Sequence, residues 1–170
     1  MTRIQAVALD VDGVLTDGSF WWGPGGQELK RFSFRDVMGI AIGRRAGLAF
    51  ALISGEDSEQ VGRYAAKMGI AAVYRGCKDK AAALRSFSSA SGIGLSAIAF
   101  MGDDENDVGA MSIAGLAAAP ANAHESALRI AAFVSSHPGG DGAVRELIDR
   151  ILSESLPATS GDGENRDPTT

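Results

Sequence analysis

The chain has 170 residues, 45% of them apolar and 22% charged, the mix of one soluble globular domain and too few residues for two of full size. Sixteen basic against 21 acidic side chains leave a net charge of −5, which argues against a surface for nucleic acid or an anionic membrane. A single cysteine excludes an internal disulfide. No apolar run reaches the roughly 18 residues of a membrane span, and no secretory cleavage pattern follows the N-terminus, so a cytoplasmic protein is expected.

In chain order, Ile4–Asp10 (IQAVALD) reads as a buried strand. Residues 18–34 read as a β-hairpin around a Gly-Pro-Gly-Gly turn. This hairpin carries both Trp21 and Trp22, which it cannot bury by itself, so it either folds back on its own domain or, the favoured reading, meets another subunit. Leu48–Ser54 is a second strong strand. Asp57 reads as the N-cap of a helix, with Gln60 completing a capping-box variant; Val61, Tyr64, Ala65 and Met68 form its apolar stripe and Gly69 its stop. Ala71–Tyr74 is a weaker strand, and residues 79–87 form a helix with Ala83, Leu84 and Phe87 on one side. Ile98–Gly102 is the third strong strand and Ala131–Ser135 another weak one. A helix over residues 141–152 buries Val144, Leu147, Ile148 and Ile151. Residues 157–170 hold almost nothing to bury and are expected to be a disordered tail behind a domain spanning 1–156. Alternating strands and helices predict a doubly wound α/β parallel sheet, with helices on both faces and right-handed crossovers.

In such a sheet ligands bind at the carboxyl ends of strands. The three strong strands end in Asp10-Val11-Asp12-Gly13, Ser54-Gly55-Glu56 and Gly102-Asp103-Asp104, and Lys80 stands at a helix start between the last two. Carboxylates, a hydroxyl and an ammonium on one edge suit magnesium-assisted phosphoryl transfer. A hard Mg²⁺ held by carboxylates offsets the repulsion between an anionic nucleophile and a dianionic phosphate. Asp10 is the expected nucleophile, and Asp12, two residues on, the expected acid and base. Ser54 and the backbone N–H groups around Gly55 would cradle phosphoryl oxygens, Lys80 would supply fixed positive charge, and Asp103 would complete the metal shell. Asp107, one turn later, would orient Lys80.

These segments closely resemble the haloacid dehalogenase superfamily. Its first motif is matched by Asp10-Val11-Asp12-Gly13-Val14-Leu15-Thr16, its second by Ser54, its third by Lys80 and its fourth by Gly102-Asp103-Asp104-Glu105-Asn106-Asp107. The resemblance implies Asp10, Asp12 (through its backbone carbonyl) and Asp103 as Mg²⁺ ligands. It implies Ser54, Gly55, Lys80 and Asn106 as phosphate contacts, with Asp104 and Asp107 in support. Over residues 4–152, the D-V-D-G-V-L-T-D-G stretch, Arg35–Ile40, residues 76–80 and residues 139–146 look like the capless phosphatases of 2-keto-3-deoxy sugar acids. That group implies a homotetramer in which hairpins form a central barrel and a neighbour partly covers each site. It points to Glu56, Lys67, Arg35 and Asp36 as substrate-binding residues. Independently, the spacings from Asp12 to Ser54 and from Lys80 to Asp103 leave no room for a cap domain.

Octulosonate phosphatases usually carry Arg where this chain has Glu56. Together with Lys67, Glu56 looks more like the nonulosonate 9-phosphate enzymes, which are therefore the favoured substrate class. Tyr64 replaces an Arg common to both groups. Two other functions use related residues. A receiver-type signalling domain also uses an aspartyl-phosphate, but phosphorylates the Asp ending its third strand. A non-catalytic regulatory domain associated with a sugar acid cytidylyltransferase would not need the full set Asp10, Asp12, Ser54, Lys80 and Asp103. His124 and His137 lack partners at zinc-ligand spacing, and Cys77 reads as incidental.

Overall fold

The computed structural model describes residues 2–155; the expected tail, 157–170, lies outside the described residues. Six parallel strands form the central sheet: β1 (Ala6–Leu9), β4 (Ala49–Ile53), β5 (Ala72–Tyr74), β6 (Ile98–Met101), β7 (Leu116–Ala119) and β8 (Phe133–Val134). Their order is β5-β4-β1-β6-β7-β8. A separate two-stranded antiparallel ribbon, β2 (Trp21–Trp22) and β3 (Glu28–Leu29), is the expected hairpin; the Gly23 N–H closes its turn on the Gln27 carbonyl. Among the described residues there are six α-helices: α1 (Phe34–Arg45), α2 (Glu59–Met68), α3 (Lys80–Ser91), α4 (Val108–Ile113), α5 (Glu125–Ile130) and α6 (Ala143–Glu154). Among the described residues no segment forms a cap domain, and no helix is long and apolar enough to cross a membrane.

Alternation along the strands divides the core in two. Val7, Leu9, Phe50 and Leu52 face α1, α2 and α6, meeting Ile40, Val61, Leu147 and Ile148. Ala6, Ala8, Ala51, Ile53 and Phe100 face α3, α4 and α5, meeting Leu84, Phe87, Ala110 and Met111. Each fully buried Leu, Ile or Phe among them contributes about 1.5–3 kcal/mol. Burial on both faces explains why these strands read as continuous apolar runs. Two glycines set the close crossing of α1 over α6: a Cβ on Gly39 would collide with the Arg145 backbone, and one on Gly43 with Phe50.

Local chemistry sets the helix ends. The Asp79 carboxylate accepts from the Ala82 N–H and starts α3, placing Lys80 in its first turn. Gly69 and Gly92 end α2 and α3 with left-handed conformations. The start of α2 corrects the sequence expectation. Its N-cap is Ser58, which makes no side-chain cap bond; the Ser58 hydroxyl instead donates to Gln60 Oε1, while Asp57 pairs with Arg75 at 3.4 Å.

Register places the site. Leu9 lies beside both Leu52 and Met101, so β1, β4 and β6 finish within one residue of each other and the residues that follow, Asp10, Ser54 and Gly102, emerge at one edge. From β1 the chain moves outward to β5 on one side, then returns to β6 on the other. Ligand crevices form where the order reverses in this way.

Candidate active site

A cleft of about 680 Å³ opens at this reversal. Asp10, Asp12, Lys80 and Asp103 line it, with Gly55, Glu56, Asp104 and Asn106 around them. At its centre the Lys80 ammonium lies 2.9 Å from Asp10 Oδ1 and 2.7 Å from Asp107 Oδ1. All three side chains are buried. Burial lowers the Lys80 pKa, but the two carboxylates outweigh it and raise the group above its ordinary value. The carboxylates are left with an excess of negative charge. Burial, then repulsion from Asp107, pushes Asp10 well above the usual range and Asp103 up to about 6.

Carboxylate oxygens of Asp10, Asp103 and Asp107 lie within 4.8 Å of one another, a hard-oxygen set suited to a small divalent cation. Asp10 and Asp103 face the cleft. Asp107 is fully buried and already engaged, with Oδ1 accepting from Lys80 and Oδ2 from the Asp103 and Asp104 N–H groups. It therefore ties the fourth-motif loop to Lys80. Gly13 is required here: its φ is +84°, and a Cβ would run into the Asp103 carboxylate.

Two features hold the β1 loop, in residues that sequence reading named only as parts of matched motifs without a role. The buried Thr16 hydroxyl accepts from the Gly13 and Gly18 N–H groups. Gly139 and Gly140 press on the loop from the start of the C-terminal segment, where any side chain would collide with Gly13 or Thr16; the Gly140 N–H donates to the Val14 carbonyl.

The remaining expected residues divide. A Cβ on Gly55 would come into ordinary contact with the Asn106 amide and the Lys80 stem, so Gly55 leaves that space open to the cleft. Ser54 is fully buried beneath this floor, its hydroxyl accepting from the Glu56 N–H, so it shapes the loop from below. Of the four substrate-binding expectations, Glu56 stands at the cleft rim. Lys67 is on the outer side of α2, 5.2 Å from the Phe34 ring centre, in a separate hollow with Phe32 and Tyr64. Arg35 sits in another depression, 3.6 Å from Asp141.

Asp36 requires correction. It is fully buried, and its carboxylate accepts from the Gly142 and Arg145 N–H groups, capping α6. Tyr64 stacks on Phe32 with centroids 4.2 Å apart, and its buried hydroxyl has no partner among the described residues.

Sequence reading missed Lys30. From the end of the hairpin its ammonium reaches Asp12 Oδ1 at 2.7 Å, Glu56 Oε2 at 2.9 Å and Glu28 Oε1 at 3.3 Å. Burial works against its charge, but hydrogen bonds to Asp12 and Glu56 prevail and raise its pKa. A lone Lys in Glu28-Leu29-Lys30-Arg31 carries no motif, and only the fold-back of the hairpin reveals its target.

Strand order, neighbouring strand ends and this acidic pocket define a haloacid dehalogenase-like hydrolase, and the chain belongs to that family; the family's model matches residues 45–147. Among curated relatives, the 3-deoxy-D-manno-octulosonate 8-phosphate phosphatase of Salmonella typhi is 37% identical over 150 residues, covering 88% of this chain and 80% of its own. The solved octulosonate 8-phosphate phosphatase of Moraxella catarrhalis, in complex with magnesium, phosphate and the sugar acid, superposes with a TM-score of 0.86. It is 35% identical, over 89% of this chain and 87% of that one. A cobalt-bound homologue from Haemophilus influenzae gives a TM-score of 0.85 at 35% identity, over 89% and 88%.

Proposed function

We propose that this protein is a Mg²⁺-dependent phosphatase of a phosphorylated 2-keto-3-deoxy sugar acid. The observation that carries the reading is the cluster of Asp10, Asp103, Asp107 and Lys80 at the end of the central strand, with Asp12 two residues on. The names of its relatives support the substrate class.

Asp10 and Asp103, with the Asp12 backbone carbonyl, would hold the cation, which shields the charge of the phosphate and the nucleophile. An Asp10 carboxylate oxygen attacks phosphorus in line; the new O–P bond forms as the ester P–O bond breaks, and Asp12 delivers a proton to the departing alkoxide. Asp12, now a carboxylate, then takes a proton from water, which attacks the aspartyl-phosphate and returns Asp10 and inorganic phosphate. Lys80, Asn106 and the Gly55 loop hold the phosphoryl oxygens, with Ser54 under that loop.

A nonulosonate 9-phosphate is the favoured substrate, because Glu56, at the rim, stands where the octulosonate group it resembles usually carries Arg. The octulosonate 8-phosphate is the second reading, favoured by the relatives' names. The tetramer that the resemblance implies is part of the proposal: Lys67 and Arg35 lie outside the cleft lining, in separate hollows, where a neighbouring copy could use them. So is the division into a phosphatase domain, 1–156, and a tail.

The test is phosphate release from both sugar acid phosphates, side by side. Wild type with Mg²⁺ should turn over at least one of them, and Asp10→Asn or chelation should abolish release. A markedly higher kcat/KM for octulosonate 8-phosphate would overturn the nonulosonate preference, and no Mg²⁺-dependent release would overturn the reading itself.

A further inference from the structure

The Asp12 carboxylate could have joined the neighbouring acidic cluster, but it is drawn the other way. It is one-third exposed at the cleft rim, while the Lys30 side chain that grips it is 2% exposed. The same ammonium holds Glu56 and Glu28, so three carboxylates from the β1 loop, the β4 loop and the hairpin converge on one cation. Beyond them a groove of about 610 Å³ continues from Glu56 along the hairpin, past Trp22 and Gln27 to Ser58. This groove shares Glu56 with the cleft and so lies next to the space an ester bound at Asp10 would fill.

We infer that Lys30 is a positioning residue: it holds the Asp12 carboxyl on the leaving-group side of the cleft, away from the cation site, and makes the hairpin part of the catalytic apparatus. The inference rests on the phosphatase reading above and adds to it which residue aims the acid. A shared ammonium fixes Asp12 and Glu56 relative to each other, so proton delivery and sugar contact are set together. Misplacement of an acid by an ångström is enough to cost about a hundredfold in rate.

Leaving groups separate aim from fold. An alkoxide needs a proton as it departs, whereas p-nitrophenolate leaves without one. The parameter to compare is kcat/KM, which covers the steps through phosphoryl transfer to Asp10. The substrates are p-nitrophenyl phosphate and whichever sugar acid phosphate the assay above selects. Lys30→Met should lower kcat/KM for the sugar phosphate by roughly tenfold to a hundredfold. For the aryl ester the loss should be about tenfold smaller. In an Asp12→Asn background the same substitution should change the sugar phosphate value by less than about twofold, as expected when two residues act as one unit.

Equal losses on both esters, or none, would overturn the inference while leaving the phosphatase reading intact. An inactive wild type would overturn both. Lys30→Gln, which has a shorter stem and keeps a donor but no charge, gives the same comparison if Lys30→Met does not fold.

Discussion

Lys80 shows how a single side chain can serve folding and chemistry. It is 3% exposed and sits between Asp10 and Asp107, so its removal leaves buried carboxylates facing one another. Breaking a buried pair by deleting one partner costs about 3–5 kcal/mol. Lys80→Met should therefore lose that much stability in chelator, measured by urea unfolding, and recover part of it in excess Mg²⁺, because a cation among the carboxylates replaces some of the missing charge. Phosphate release should fall by roughly 10²–10³-fold. A variant as stable as wild type in chelator would show that the pair contributes nothing. Asp10, Lys80 and Asp103 were legible in the sequence because each follows an apolar run or opens a helix, and strand ends are where such folds place chemistry. Ser54 was legible as a neighbour of the site but not as a buried one. Lys30 was not legible, because its partners lie 18 and 26 residues away and only the hairpin's path brings them together.

At the scale of elements, α1 and α6 are joined by a polar clamp as well as by packing. Asp36 on α1 accepts from two N–H groups at the start of α6, at 3.2 and 3.0 Å. Burial raises its carboxyl more than these N–H bonds lower it. Because the folded value lies above the unfolded one, this group favours the fold when protonated, and that contribution is lost as pH rises through the folded value. Asp36→Asn keeps one accepting oxygen but sets its NH2 against the second N–H, so it should cost part of what Asp36→Ala costs. Asp36→Ala strands both donors and should cost about 1–3 kcal/mol, read from urea midpoints at neutral pH. If Asn proved worse than Ala, the clamp would not be the reason for this Asp. Sequence patterning located β1, β4 and β6 to within two residues, since strands covered on both faces are continuously apolar. It missed β7, whose Leu-Ala-Ala-Ala has no strand-favouring side chain and takes its conformation from pairing with β6 and β8. It also misjudged Asp36, because an acid in a motif-like stretch gives no sign of being buried under another helix's N-terminus.

The whole molecule leaves one surface that a lone chain does not explain. Phe20, Trp21, Trp22 and Leu29 on the hairpin are each at least half exposed, and Phe34 beside it is 77% exposed. The ribbon's regular pairing is only two residues long, and an isolated hairpin of this kind is marginal in water. Yet this hairpin must hold Lys30 against Asp12, so whatever supports the aromatic side also supports the site. A second copy fits both needs: it would bury the aromatic face and bring Lys67 and Arg35, which lie outside the lining of their own cleft, toward a neighbour's. Light scattering should therefore give a tetramer at micromolar concentration. Trp21→Ser combined with Trp22→Ser should shift it toward monomer and raise KM for the sugar acid phosphate by roughly tenfold, the worth of one charge-assisted hydrogen bond. KM for p-nitrophenyl phosphate, which has no carboxylate to be recognised, should change far less. A wild-type monomer with full activity would sink the shared site, and would leave the exposed aromatic face to a different partner.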